Sequence, residues 1–193
     1  RRWMLVDETG MFITGREYPI LSLFQLTLDK QLLTITFNHE SIDIPVNNAA
    51  GPTVQAIVWN DMVSVQEVSD RHNHWFSERL GKRVRLVHFP EENPRPVDPL
   101  LTPQNTHTSL SDAYPFLIIG KSSLDDLNSR LDNPVGMNRF RPNFVFTGGN
   151  AFEEDTWKNF SIGTNRFVCV KHCSRCVLTT IDPETGEKGV EPL

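Results

Sequence analysis

The chain has 193 residues, room for one full domain or two small packed ones, and its 38% hydrophobic and 22% charged content excludes wholesale disorder. No apolar run approaches the roughly 20 residues of a membrane-spanning helix. The net charge of −5 argues against a nucleic-acid binder that works by neutralising phosphates. There is no initiator Met, Arg1-Arg2-Trp3-Met4-Leu5-Val6 already reads as strand, and no signal peptide is visible, so the expectation is a piece of something longer.

In chain order, Trp3–Val6 and Phe12–Thr14 flank Asp7-Glu8-Thr9-Gly10, whose glycine suits a positive-φ hairpin position. Leu23–Leu28 and Leu32–Phe37 alternate apolar and polar residues around Asp29-Lys30-Gln31, a second hairpin. Ile42–Ile44, Val54–Trp59 and Val63–Val68 continue the pattern, with Asn60-Asp61 as a tight polar turn. Ser69-Asp70 offers an N-cap to a helix through Trp75, Phe76 and Leu80 that Gly81 closes, and Val84–Phe89 returns to strand. Four prolines between Pro90 and Pro99 remove backbone donors, which predicts an irregular, exposed linker or domain boundary.

The second half opens with a buried-looking strand, Phe116–Ile119. Ser122 or Ser123 then caps a helix with Leu124, Leu127 and Leu131 on one face. Asn143–Thr147, Phe167–Val170 and Val177–Ile181 read as strands. The expected fold class is mainly β with some helix, an α+β chain in two sections, 1–89 and 90–193.

Cys169, Cys173 and Cys176 fall within eight residues. An odd count in one cluster is no disulfide framework and points to a reducing compartment, hence a cytoplasmic setting. The Cys-x3-Cys-x2-Cys spacing matches the ligand run of an iron–sulfur cluster, but only 17 residues follow it. A zinc site would need His172 as well, and neighbours on a strand point to opposite faces. A single reactive thiolate beside Arg175, or three small core residues, are the other readings.

Gly120-Lys121-Ser122-Ser123 resembles the end of a phosphate loop, but Pro115 stands where the loop needs glycine, so an ordinary strand-to-helix turn is expected. His72 and His74 are expected to face solvent at a helix start. Arg139-Phe140-Arg141-Pro142-Asn143 brings two planar guanidinium forks and an amide to one turn, suited either to an anion or to surface ion pairs with Asp132, Glu153, Glu154 and Asp155. Ser111-Asp112-Ala113-Tyr114-Pro115-Phe116 precedes a strand, where loop residues often line a site.

Arg1-Arg2-Trp3-Met4, Ser111–Leu117, Arg139–Asn143 and Cys173-Ser174-Arg175-Cys176-Val177-Leu178-Thr179-Thr180, with Asp155-x-Trp157 and Asp182-Pro183-x-Thr185-Gly186, occur in an order that resembles the MOSC superfamily. More narrowly they resemble the bacterial YcbX proteins and the mitochondrial amidoxime-reducing component. The resemblance implies an N-terminal β-rich MOSC domain over 1–89, its first strand missing, packed on a MOSC β-barrel over 90–193 whose C-terminal part is missing. A molybdenum–pterin cofactor would lie between them. Cys176 would be the protein ligand to molybdenum and, with Asp112, catalytic. Ala113 and Tyr114 would lie beside Asp112, Ser174, Arg175, Arg141 and Asn143 around the cofactor, and Arg1 on the pterin phosphate.

The implied activity is reduction of N-hydroxylated compounds (hydroxylamines and N-hydroxylated bases) to amines, with electrons from a flavoprotein or a ferredoxin-type domain. Some relatives carry a two-iron cluster in a further domain that is absent from this chain. The superfamily also carries associations with pyridoxal phosphate binding and detoxification. The alternative function is a non-catalytic molybdenum-cofactor or sulfur-carrier binding module, and a third is a structural protein with inert cysteines.

Overall fold

The computed structural model describes residues 1–46, 51–93, 95–98, 100–102 and 106–192. The first half holds β1 (Trp3–Val6), β2 (Gln25–Leu28), β3 (Leu32–Phe37), β4 (Glu40–Pro45), β5 (Thr53–Val58), β6 (Asp61–Glu67), α1 (Asp70–Leu80) and β7 (Arg85–His88). Strands β2-β3-β4 form one antiparallel sheet, and β1-β7-β6-β5 another.

The alternation in the sequence becomes register. Leu33 and Ile35 of β3 face Ile44 and Ile42 of β4, so the buried side chains share one face of the sheet. The β2–β3 turn is held by Asp29, whose Oδ1 accepts from the N–H groups of Gln31 and Leu32 at 2.7 and 2.8 Å. Helix α1 lays Phe76 on this sheet and ends at Gly81, which is left-handed at φ 61° and donates its N–H to Ser77 O. Ser69 occupies the N-cap position, but its hydroxyl bonds His72 Nδ1 at 2.7 Å, while His72 Nε2 meets Asp43 O at 3.0 Å. His72 is therefore buried, contrary to the expectation of two solvent-facing histidines, because its ring bridges helix to sheet. His74 is exposed and pairs with Glu78.

The second sheet packs Val6, Ala56, Val58, Val65 and Val87 around Leu110, a residue of the second half. Gly10 is where the sequence places a positive φ (88°), and a Cβ there would stand 2.7 Å from Gln55 O. The hairpin expected from Phe12–Thr14 reduces to single bridges, Phe12 to Val6 and Met11 to Ile57, after which the chain turns away.

The second half holds β8 (Arg95–Pro96), β9 (His107–Thr108), β10 (Ile118–Gly120), α2 (Lys121–Asn128), β11 (Phe144–Phe146), β12 (Asn159–Ile162) and β13 (Asn165–Val168). The proline-rich stretch departs from expectation in one respect. It joins no central sheet, but Arg95 and Pro96 pair with Thr108 and His107, and Arg95 and Val97 are buried. Burial follows from the Arg95 side chain, which donates to Asp61 and to the carbonyls of Ser109 and Ser111. Pro94 and Pro99 lie outside the described residues.

Strand β10 starts later than predicted and Phe116 is exposed, because Asn143 grips Leu117. Leu117 N–H donates to Asn143 Oδ1 at 3.0 Å, and Asn143 N–H to Leu117 O at 2.8 Å. Strands β10 and β11 run parallel. Helix α2 begins at Lys121 with Gly120 as N-cap, so Ser122 and Ser123 lie inside it. Its N-terminus receives the chain's own carboxylate: Glu154 Oε1 accepts from Gly120 N–H at 2.8 Å and from Ser123 Oγ at 2.7 Å. The β12–β13 hairpin, which the sequence reading missed on its first strand, turns at Gly163 with φ 58°. Val177–Ile181 is not a strand. Val177–Thr180 forms a 3-10 turn in which the Thr179 and Thr180 hydroxyls donate to Cys176 O and Val177 O at 3.0 and 2.8 Å. The architecture is mainly β, with curled sheets in the first half and two helices.

Candidate functional site

The 3-10 turn after Cys176 is what fixes that cysteine. Cys176 is its N-cap residue, half-buried, with Thr179 N–H donating to Cys176 O at 3.0 Å. The sulfur faces the first half of the chain, where Arg16 Nε donates to Sγ at 3.4 Å. Burial pushes the Cys176 thiol up. The hydrogen bond from Arg16, the Leu178 backbone N–H and the charges of Arg16 and Arg175 outweigh burial and hold it below the ordinary thiol value.

The other two cysteines have different surroundings. Burial alone pushes the Cys169 thiol up, and Cys173 is exposed with Arg175 Nη1 at 3.1 Å from its sulfur. Among the described residues, no three His, Cys, Asp or Glu side chains converge to hold a metal ion. Arg175 also donates from Nη2 to Phe140 O at 2.9 Å, tying the cysteine segment to the Arg139–Asn143 turn, and Ser174 beside it is exposed.

Two arginines flank one carboxylate here, and a third lies within reach of its charge. Asp112 Oδ1 lies 3.8 Å from Arg1 Nη1, and Asp112 Oδ2 lies 4.0 Å from Arg16 Nη2. Arg141 is the third. Burial of its guanidinium and the nearby charge of Arg1 pull its pKa down, against the opposing pull of Asp112. Its backbone is left-handed at φ 54°, a conformation unusual for a non-glycine residue, at the end of the turn Met137–Phe140. With three guanidinium groups to one carboxylate the cluster carries net positive charge, the condition for holding an anion.

The competing ion-pair reading of Arg139 and Arg141 meets a different geometry. Arg139 pairs with Asp182 at 2.9 Å and donates to Thr180 O at 3.0 Å, while Glu154 is engaged at α2.

Thus Cys176, Asp112, Arg1 and Arg141 form one neighbourhood, and Arg175 reaches it through Phe140. Ala113 is exposed and Tyr114 half-buried, both directly after Asp112. The Asn143 side-chain oxygen accepts from Leu117 N–H. Asn143 borders a cavity of about 470 Å³ with Phe144, Phe146, Trp157 and Phe160. Sequence reasoning missed Arg16 and Trp59, over whose ring the Arg16 guanidinium sits at 4.6 Å. Both lie in turns of the first half with no motif around them. The one local signal is Gly15, where a Cβ would stand 2.9 Å from Leu178 Cδ1.

The residues present fit a molybdenum–pterin cofactor in their donor set: a half-buried thiol biased toward thiolate, the ligand a soft metal prefers, and clustered guanidinium groups for a phosphate.

Comparison with known proteins shows the family. A family model described as the MOSC N-terminal beta barrel domain matches residues 1–83, and one described as the MOSC domain matches residues 105–193. The chain is 34% identical to mitochondrial amidoxime-reducing component 1 of Danio rerio over 193 residues, covering 96% of this chain. It is 35% identical to the proteins of the same name from Mus musculus and Homo sapiens, with 100% of this chain covered in each case. The chain spans 59% of the length of each of these relatives. With one of its two domain types matched in each half, the chain belongs to the MOSC family.

Proposed function

We propose that this chain is the cofactor-holding part of a molybdenum-dependent oxidoreductase that reduces N-hydroxylated compounds to amines. The observation that carries the reading is the joining of a thiolate-biased Cys176 to the Arg1–Asp112–Arg16 cluster, with Arg141 beside it. Support also comes from the relatives, which are named amidoxime-reducing components.

The balanced reaction takes an N–OH group, two electrons and two protons to an N–H group and water. When bound, the cofactor supplies a metal that accepts the oxygen atom and exchanges the electron pair. The chain's own residues do the rest. Cys176 offers Sγ as a deprotonated ligand, with Arg16 donating to it. Arg1 and Arg141 would present guanidinium forks to the phosphate, and Asp112 is the carboxylate shared by Arg1 and Arg16. Arg175, fixed on Phe140 O, adds positive charge beside Cys176. Ser174, exposed beside it, would offer its hydroxyl.

The electrons come from a separate flavoprotein or ferredoxin-type donor. We propose a cytoplasmic setting for this activity; the three cysteines are free, and no helix among the described residues is long and apolar enough to cross a membrane.

The test is expression of the full-length protein in a host competent in cofactor synthesis, followed by molybdenum analysis and turnover of an aromatic amidoxime with a chemical reductant. One molybdenum per chain together with amidine formation is the expected result. Stoichiometric molybdenum without turnover would move the chain to the carrier-module class. No molybdenum at all would overturn both.

A further inference from the structure

We propose that Arg16 is a positioning residue that sets the direction of the Cys176 sulfur, an inference that rests on Cys176 being the metal ligand. Two of the three guanidinium nitrogens and the face of the group meet other side chains of the protein. Nε donates to Cys176 Sγ at 3.4 Å, Nη2 lies 4.0 Å from Asp112 Oδ2, and the face covers the Trp59 ring at 4.6 Å. A guanidinium held by its face and by one Nη directs its remaining Nε–H, because its donors leave a rigid plane in set directions.

Three features outside the site hold this arrangement. Trp59 occupies a left-handed position, φ 57°, in the β5–β6 turn, a conformation costly for a bulky side chain and found where surrounding structure over-determines it. Phe12 meets the same ring edge-on at 5.0 Å, which locks its plane under Arg16. Gly15 gives the loop its close approach to Leu178, two residues after Cys176. The first half of the chain therefore reaches across and grips the sulfur supplied by the second.

The role differs from that of Arg1 and Arg141. Arg16 alone among the three gives its Nε–H to the Cys176 sulfur and lays its face on an indole ring. Lysine at this position would keep the charge but lose both the Nε–H and the planar face.

The experiment compares full-length, cofactor-loaded protein with Arg16→Lys, Arg16→Gln, Trp59→Leu and Cys176→Ser by molybdenum content, visible absorption and steady-state kinetics. In both Arg16 variants, molybdenum content and KM are expected within about twofold of wild type, with a shifted sulfur-to-metal absorption band and kcat lower by roughly tenfold. Trp59→Leu, which leaves Arg16 in place without its support, should shift the band in the same direction and lower kcat less. Wild-type absorption and kcat in Arg16→Gln overturn the proposal, as does full rescue by Arg16→Lys, since charge would then suffice. Loss of molybdenum by more than about tenfold also overturns it, because Arg16 would then be a binding residue. Cys176→Ser reports on the ligand assignment separately: loss of the band supports the assignment, and an unchanged band defeats it whatever the Arg16 variants do.

Discussion

Arg95 and Asp61 are joined by two donors on one oxygen: Arg95 Nε and Nη2 reach Asp61 Oδ2 at 2.8 and 2.7 Å. Arg95 is 7% exposed, whereas the Asp61 side chain is 52% exposed, so the two partners contribute unequally. Arg95 Nη1 also donates to Ser109 O at 2.9 Å and Ser111 O at 2.6 Å, the segment that leads into Asp112. Arg95→Ala leaves those carbonyls without donors and should cost on the order of 3 kcal/mol, and Asp61→Ala only about 1 kcal/mol. Urea unfolding of the two variants measures this. Equal, small losses would reduce Arg95 to a packing residue.

Arg141→Lys keeps a positive charge but not the bidentate fork. Cofactor affinity should fall by roughly ten- to a hundred-fold, which corresponds to losing a charge-assisted hydrogen bond. Molybdenum content after gel filtration of the full-length variant is the measurement. Retention equal to wild type would place Arg141 outside the phosphate contact.

The three cysteines should respond unequally to serine. Cys176→Ser is expected to abolish N–O reduction, since a serine hydroxyl is a harder and mostly protonated ligand. Cys169→Ser and Cys173→Ser should keep substantial turnover per folded protein, because neither sulfur shares the Arg16 contact. Comparable losses in all three would restore a shared ligand set.

His88 makes the fold acid-sensitive. Both of its ring nitrogens are buried without a hydrogen-bond partner among the described residues, and its ring centroid lies 5.3 Å from that of Trp3. Burial and the charge of Arg2 pull its pKa below the ordinary histidine value, against Glu92 and Glu91, which raise it. The unfolded chain then takes up this proton more readily. The stabilisation is complete above the unfolded value of about 6.5 and is lost as pH falls through the lower folded value. The carboxylates held low, Asp7, Asp29 and Asp182, lose their contribution at more acid pH. His88→Phe should therefore lessen the drop in unfolding free energy between about pH 7.5 and about pH 5.5. An unchanged drop would assign the acid sensitivity elsewhere.

What the sequence determined by itself was local. Alternation in Leu32–Phe37 set which side chains of β3 face inward, and Gly81 and Gly10 stopped a helix and bent a hairpin where left-handed backbone was required. The order of its motifs carried the family resemblance, through which Cys176, Asp112, Arg1 and Arg141 were expected at one site. Short elements whose ends depend on distant partners were not legible in this way. Phe116 was read as buried until Asn143 pinned Leu117, Val177–Ile181 as strand until two threonine hydroxyls folded back, and His72 as exposed until Asp43 O met its ring. Arg16 shows the same limit at the site. It lies 160 positions from Cys176, and no local pattern encodes a contact made by the packing of one half on the other. Which thiol is held below its ordinary value was decided by that packing, because a guanidinium lowers a sulfur's proton affinity most strongly when it donates to it.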